Sequence, residues 1–165
     1  MRLHLLINER RADLRSQWGT AIKGIASIRL LDLDVRDLLA MPGVDAALMM
    51  GMFAHERYGG TPVIGRAQIL DTRGDPRVPA WVVTTPPFAG TRRGAPGDPG
   101  RVPVVPQQGL APEQQDYLAF REVFGRVAAF NQRADEAGKP PIGTLAMDDE
   151  FVRFPLHEEA AQREM

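Results

Sequence analysis

The chain has 165 residues, 44% apolar and 25% charged, the balance of one globular domain and too short for two comfortable ones. Twenty basic and 21 acidic side chains leave a formal charge of −1, so no basic excess drives general nucleic-acid or anionic-membrane binding. There is no cysteine, which removes disulfides, thiolate nucleophiles, iron–sulfur clusters and every cysteine-ligated zinc site.

In chain order, the apolar run Leu3 to Ile7 predicts a buried first strand. From Glu9 the pattern turns helical: Leu14, Trp18 and Ile22 recur every four residues, and Gly24 supplies the stop. Ser27 to Leu33 reads as a second strand that ends at Asp34 and Val35. Val44 to Met50, bounded by Pro42-Gly43 and Gly51, reads as a third strand buried on both faces. The stretch from Met49 to Tyr58 reads as a loop, with Met49, Met50 and Met52 assigned to the core or a pocket wall. Arg66 to Asp71 and Ala80 to Thr85 predict two more strands, separated by the turn residues Arg73-Gly74-Asp75-Pro76.

Residues 86–112 hold half of the prolines and five interleaved glycines. A proline lacks the N–H that a helix interior or central strand needs, so this segment is a loop insertion, either a surface feature or a lid carrying Arg92, Arg93 and Arg101. Pro112 suits a first helical turn, and Glu113 and Asp116 suit the positive end of the helix dipole. Tyr117, Phe120, Val123, Phe124, Val127 and Phe130 then follow 3- and 4-residue spacing, which predicts one buried face up to the stop at Gly138. Ile142 to Met147 reads as a last strand, Asp148-Asp149-Glu150 as a solvated acidic turn, and Leu156 onward as a short helix. Strands and helices in this order predict a three-layer α/β domain.

Several chemistries fail on residue type. The two serines, Ser16 and Ser27, lie outside any Gly-x-Ser-x-Gly elbow. His55-Glu56 begins like a zinc-protease helix, but Gly59 stands where the second histidine belongs. Neither a P-loop nor a Gly-x-Gly-x-x-Gly fingerprint is present, and no stretch approaches the ~20 apolar residues of a membrane span. The expected compartment is the cytoplasm, and the residues call for no metal and no cofactor.

Taken together, several segments resemble a macro domain, the fold that binds ADP-ribose, and in particular a bacterial branch with an extra N-terminal strand and helix. Leu33-Asp34-Val35 is similar to the family's Gly-Asp-Ile, whose Asp binds the adenine amino group. Val44-Asp45-Ala46-Ala47-Leu48 resembles the Asp-Ala-Ile-Val strand, which leads to a Gly-Gly matched by Gly59-Gly60. Pro62 to Ala67 resembles the turn into the next strand, and Trp81 to Pro87 the strand that ends near a proline. Phe154-Pro155-Leu156-His157-Glu158-Glu159-Ala160-Ala161 is similar to the family's aromatic-Pro-x-Glu-Glu-Ala-Ala entry to a late helix. The resemblance implies one macro-like domain over residues 1–165, with a mixed central sheet of about six strands.

It further implies that ADP-ribose, a related nucleotide or an ADP-ribosylated protein is the partner, with Asp34, Val35, Arg57, Gly59, Gly60, Thr85, Phe151 and Arg153 as ligand contacts. Departures from the family pattern are as informative. The Asn residues expected after the third strand are absent, no helix signal follows Gly59-Gly60, and the second phosphate loop reads Asp148-Asp149-Glu150-Phe151-Val152-Arg153. Three carboxylates there repel a diphosphate, which Arg153 offsets in part. If an ADP-ribosyl linkage is hydrolysed, His55 and Glu56 are the acid–base pair able to activate water, and Arg57 the residue able to grip a phosphate bidentately. The alternative is a non-catalytic scaffold serving as a protein-interaction or ligand-binding module. The oligomeric state is left open by the composition.

Overall fold

The computed structural model describes residues 1–8, 10–32, 42–86 and 112–147. These form an α/β fold with six strands and three helices: β1 (Arg2–Ile7), α1 (Ala12–Ala21), β2 (Ile28–Asp32), β3 (Ala46–Met49), α2 (Gly51–Tyr58), β4 (Ile69–Asp71), β5 (Trp81–Thr84), α3 (Pro112–Glu136) and β6 (Thr144–Met147). The strands make one mixed sheet in the order β2-β1-β6-β3-β5-β4. All neighbours are parallel except β4, which runs antiparallel to β5 and forms one edge.

The apolar runs become central strands because both of their faces are covered. Successive side chains alternate between the faces of a strand, and the packing follows that alternation. Leu5, Ile7, Ala46, Leu48, Val83, Leu145 and Met147 belong to one cluster, which takes in Leu14 of α1 and Val123 and Val127 of α3. On the other face, Val82 and the partly buried Met49 and Leu70 pack with Ala54 and Tyr58 of α2, while Leu6 and Ala146 meet Val44. Burying a Leu or Val side chain contributes about 1.5–3 kcal/mol, so the short strands are held mainly by these contacts.

Two polar latches seat β6 between its neighbours. Oδ2 of Asp45 accepts N–H bonds from Gly143 at 2.9 Å and Thr144 at 2.8 Å. The side-chain amide of Asn131 on α3 pairs with both backbone groups of Ile142, accepting at 2.7 Å and donating at 2.9 Å. Residues entering β6 have left the helix and not yet joined the ladder, so they need such partners.

Two expectations are corrected. Residues 51–58 are a helix, not a loop. Gly51, Ala54, His55 and Tyr58 are its buried positions, at the i, i+3, i+4, i+7 spacing of one helical face. Tyr117 does not join the buried face of α3; it is 68% exposed, and the packed positions run from Phe120 to Phe130. The acidic turn at 148–150, the short helix from Leu156 and all of the insertion except Pro86 and Pro112 lie outside the described residues.

Candidate functional site

Five parallel strands send their carboxyl ends to one edge of the sheet. In open α/β sheets that edge is where ligands bind, above all where successive connections leave in opposite directions. Here β1 connects outward to β2 on one side, and β3 leads through α2 and β4 to β5 on the other. The junction of β3, α2 and β5 is therefore the natural place to look for chemistry.

At that junction β3 passes through Met50 directly into α2. Thr85, just past β5, ties the turn together: its N–H donates to the Met49 carbonyl at 2.9 Å, and its Oγ1 accepts the Gly51 N–H at 3.1 Å. Thr85 thus performs for α2 the service an N-cap residue performs from within the chain. Its hydroxyl hydrogen remains able to donate. The next N–H groups, those of Met52 and Phe53, belong to a first helical turn and have no carbonyl one turn earlier within the helix. Met50 and Phe53 expose apolar side chains beside them, at 50% and 54%.

α2 ends at Gly59, whose N–H bonds the His55 carbonyl at 2.9 Å. Gly59 and Gly60 have φ of +84° and +85°, a conformation that L side chains rarely adopt. A Cβ on Gly60 would lie 3.2 Å from His55 Nδ1 and 3.3 Å from Leu70 Cδ2. The second glycine therefore lets the chain turn back tightly over the imidazole. His55 is only 6% exposed, and its Nδ1 is 3.0 Å from the Gly59 carbonyl. A carbonyl can only accept, so Nδ1 donates to it; the buried Nε2 meets no partner among the described residues.

The acid–base pair expected from the sequence is not brought together. Glu56 is exposed while His55 is buried, because neighbouring helical residues point about 100° apart. Arg57 is engaged elsewhere. It donates to Asp75 Oδ2 at 3.1 Å and lies 5.6 Å over the Tyr58 ring. Asp75 also receives the Arg77 backbone N–H, two bonds from the Arg77 guanidinium, and the Tyr58 hydroxyl at 3.5 Å. The Arg77 guanidinium, with help from Arg57, holds the Asp75 carboxyl well below the usual carboxylate range. Burial pushes the Tyr58 phenol up, so Tyr58 stays a donor. This cluster pins the end of α2 to the β4–β5 connection.

Of the remaining expected site residues, Asp34, Val35, Phe151 and Arg153 lie outside the described residues. His4 is in β1, where burial first, then Arg29 and Arg2, push its pKa down. Among the described residues no group of three or more His, Asp or Glu converges on a point that could hold a metal, and no helix is long and apolar enough to cross a membrane. Sequence reading missed Asp75, Asn131 and the capping role of Thr85; the one available signal was Asp75 in a Gly-Asp-Pro turn, the kind of acceptor that gathers nearby N–H groups.

No protein-family model matches the chain, and no characterised protein or solved structure is significantly similar to it.

Proposed function

We propose that the carboxyl edge of the sheet, at the β3–α2–β5 junction, binds ADP-ribose or a related nucleotide in a macro-like arrangement of helices on both sheet faces. The observation that carries this reading is the junction itself. Backbone N–H groups of a first helical turn open at the carboxyl ends of parallel strands, next to a hydroxyl donor and an exposed aromatic ring. Such N–H groups favour phosphate oxygens, and an exposed ring offers a face for a base. The resemblance of Val44 to Leu48, Gly59-Gly60 and Trp81 to Pro87 to macro-domain segments supports the same ligand.

Binding without hydrolysis is the form of this reading that the geometry favours. His55 supports the Gly59-Gly60 turn from within, and Glu56 is exposed with no hydrogen bond to His55. A working general base contributes ~10²–10⁴-fold, so its absence is measurable. Calorimetry with ADP-ribose, using NAD and AMP as controls, tests the binding; release of ADP-ribose from a modified protein tests the chemistry. Binding with no release, and no effect of Glu56→Gln on either readout, is expected. Turnover that collapses in Glu56→Gln with affinity preserved would make the protein a hydrolase. Heat signals no larger for ADP-ribose than for AMP would remove the nucleotide reading.

A further inference from the structure

A second surface lies along α3, on the sheet face that α1 and α3 pack; one end of it reaches Thr61, which follows Gly60, and Gln68, which bonds Thr84. Along this side the flank of α3 faces the residues around β4 and the start of β5 across a groove. It consists of two hollows, of about 620 and about 430 Å³, that share Phe130 and Arg133. Both hollows are open toward solvent rather than enclosed.

The two hollows differ in chemistry. The larger is apolar, walled by Trp81, Phe130, Ala134, Pro140 and Pro141, with the Trp81 and Phe130 rings edge to face at 5.0 Å. Arg133 and Lys139 stand at its rim, both exposed and without a carboxylate partner among the described residues. Asp45 is the one acid in its wall, and its Oδ2 is already taken by Gly143 and Thr144. The smaller hollow is polar and basic, bringing Arg66, Arg126, Thr61 and Gln68 to the same Arg133. Arg66 and Arg126 share a single carboxylate, Glu122, at 3.9 and 3.3 Å. Along α3, from Arg126 to Ala137, the groove runs roughly 16 Å at 1.5 Å per residue. That suits about five residues of extended chain at 3.3 Å each.

We infer that this groove binds a short, extended, acidic peptide segment of a partner protein. One apolar or aromatic side chain fills the Trp81–Phe130 hollow, and flanking carboxylates meet Arg133, Lys139 and the Arg66–Arg126 end. Charge complementarity selects the partner. An apolar anchor between carboxylates matches an apolar hollow between cations, whereas a basic peptide meets an excess of like charge. The groove is separate from the nucleotide reading and does not depend on it.

The test is fluorescence anisotropy with fluorescein-labelled hexapeptides carrying one Leu, Phe or Trp among glutamates. Controls replace every Glu by Lys, or the apolar residue by Ser. The expected result is micromolar binding of an acidic, apolar-anchored peptide that weakens with salt, at least tenfold loss with the Ser control, and no binding of the Lys control. Arg133→Glu should weaken binding at least tenfold, and Lys23→Glu, an exposed change outside the groove, should leave it unchanged. ADP-ribose should not compete. No binding by any acidic peptide up to millimolar concentration would overturn the inference, as would equal binding of the Glu and Lys forms, an unaffected Arg133→Glu, or displacement by ADP-ribose. Quenching of Trp81 by a small aromatic carboxylate with no peptide binding would assign the hollow to small anions and overturn it too.

Discussion

Replacing Asp45 by alanine isolates the latch that seats β6. The carboxylate makes two bonds through the single atom Oδ2, to Gly143 and Thr144, and Thr144 is buried at 6% exposure. Alanine leaves two backbone N–H groups without that partner. One of them is shut away from water, and an unsatisfied buried donor costs about 1–3 kcal/mol. The Gly143 N–H is nearer solvent and adds less, so the total for Asp45→Ala should be about 2–4 kcal/mol. In a chain of this size each kcal/mol lowers Tm by roughly 2–4 °C. Asparagine retains an oxygen able to accept both bonds, so Asp45→Asn should cost under about 1 kcal/mol. Urea unfolding of the three proteins checks the pair of values. An unchanged midpoint in Asp45→Ala, or equal losses for Ala and Asn, would refute the latch.

Three further outcomes follow from the junction and its surroundings. Gly60→Ala places a Cβ against His55 and Leu70 at positive φ and should cost about 1–3 kcal/mol, whereas Gly65→Ala, at φ +70° in open space, should cost about 1 kcal/mol; thermal melts compare them. Because the folded-state pKa of Asp75 is depressed, the stability it contributes is present above the unfolded value near 4 and is lost as pH falls toward the folded one. The urea midpoints of wild type and Asp75→Asn should therefore converge between pH 5 and pH 2, and a constant gap across that range would count against the ion cluster. Thr85→Val keeps the shape of the side chain but removes the acceptor for Gly51; about 1 kcal/mol of stability and roughly tenfold in ADP-ribose affinity should go together, read by melting and calorimetry.

The sheet was legible where burial on both faces writes itself as an uninterrupted apolar run. Val82-Val83 and Leu145-Ala146-Met147 are such runs, and both became central strands. α3 was legible because Phe120, Val123, Phe124, Val127 and Phe130 hold one helical stripe over three turns. α2 was not, although it carries the same signature. Its buried positions are Gly51, Ala54, His55 and Tyr58, and none of the four is a large aliphatic residue of the kind that marks a helical stripe. Tyr117 failed in the opposite sense: its spacing continues the stripe, but the packed positions of α3 begin at Phe120 and the Tyr117 ring stays exposed.

The candidate site was legible in outline only. Gly59-Gly60, read as the end of a loop, closes a helix instead, with both residues at positive φ, and Thr85, read as the end of a strand, lies just past β5. The direction of side chains was not available from order in sequence. His55 and Glu56 are adjacent residues about 100° apart around a helix, one buried and one exposed, and Arg57 is committed to an aspartate 18 positions later. A cluster of chemically able residues in sequence becomes a site only if its backbone points them at one place, and a helix disperses neighbours.

The proposed nucleotide site is defined by the backbone groups that the ligand would meet. Amide chemical shifts recorded through a titration with ADP-ribose read that position residue by residue. The amides of Gly51, Met52, Phe53, Gly60 and Thr85 should move together and saturate, while those of Arg133, Ala134 and Ala137 on the far flank of α3 stay still. Saturable shifts confined to that flank, or none anywhere at millimolar ADP-ribose, would contradict the assignment of the ligand to the carboxyl edge.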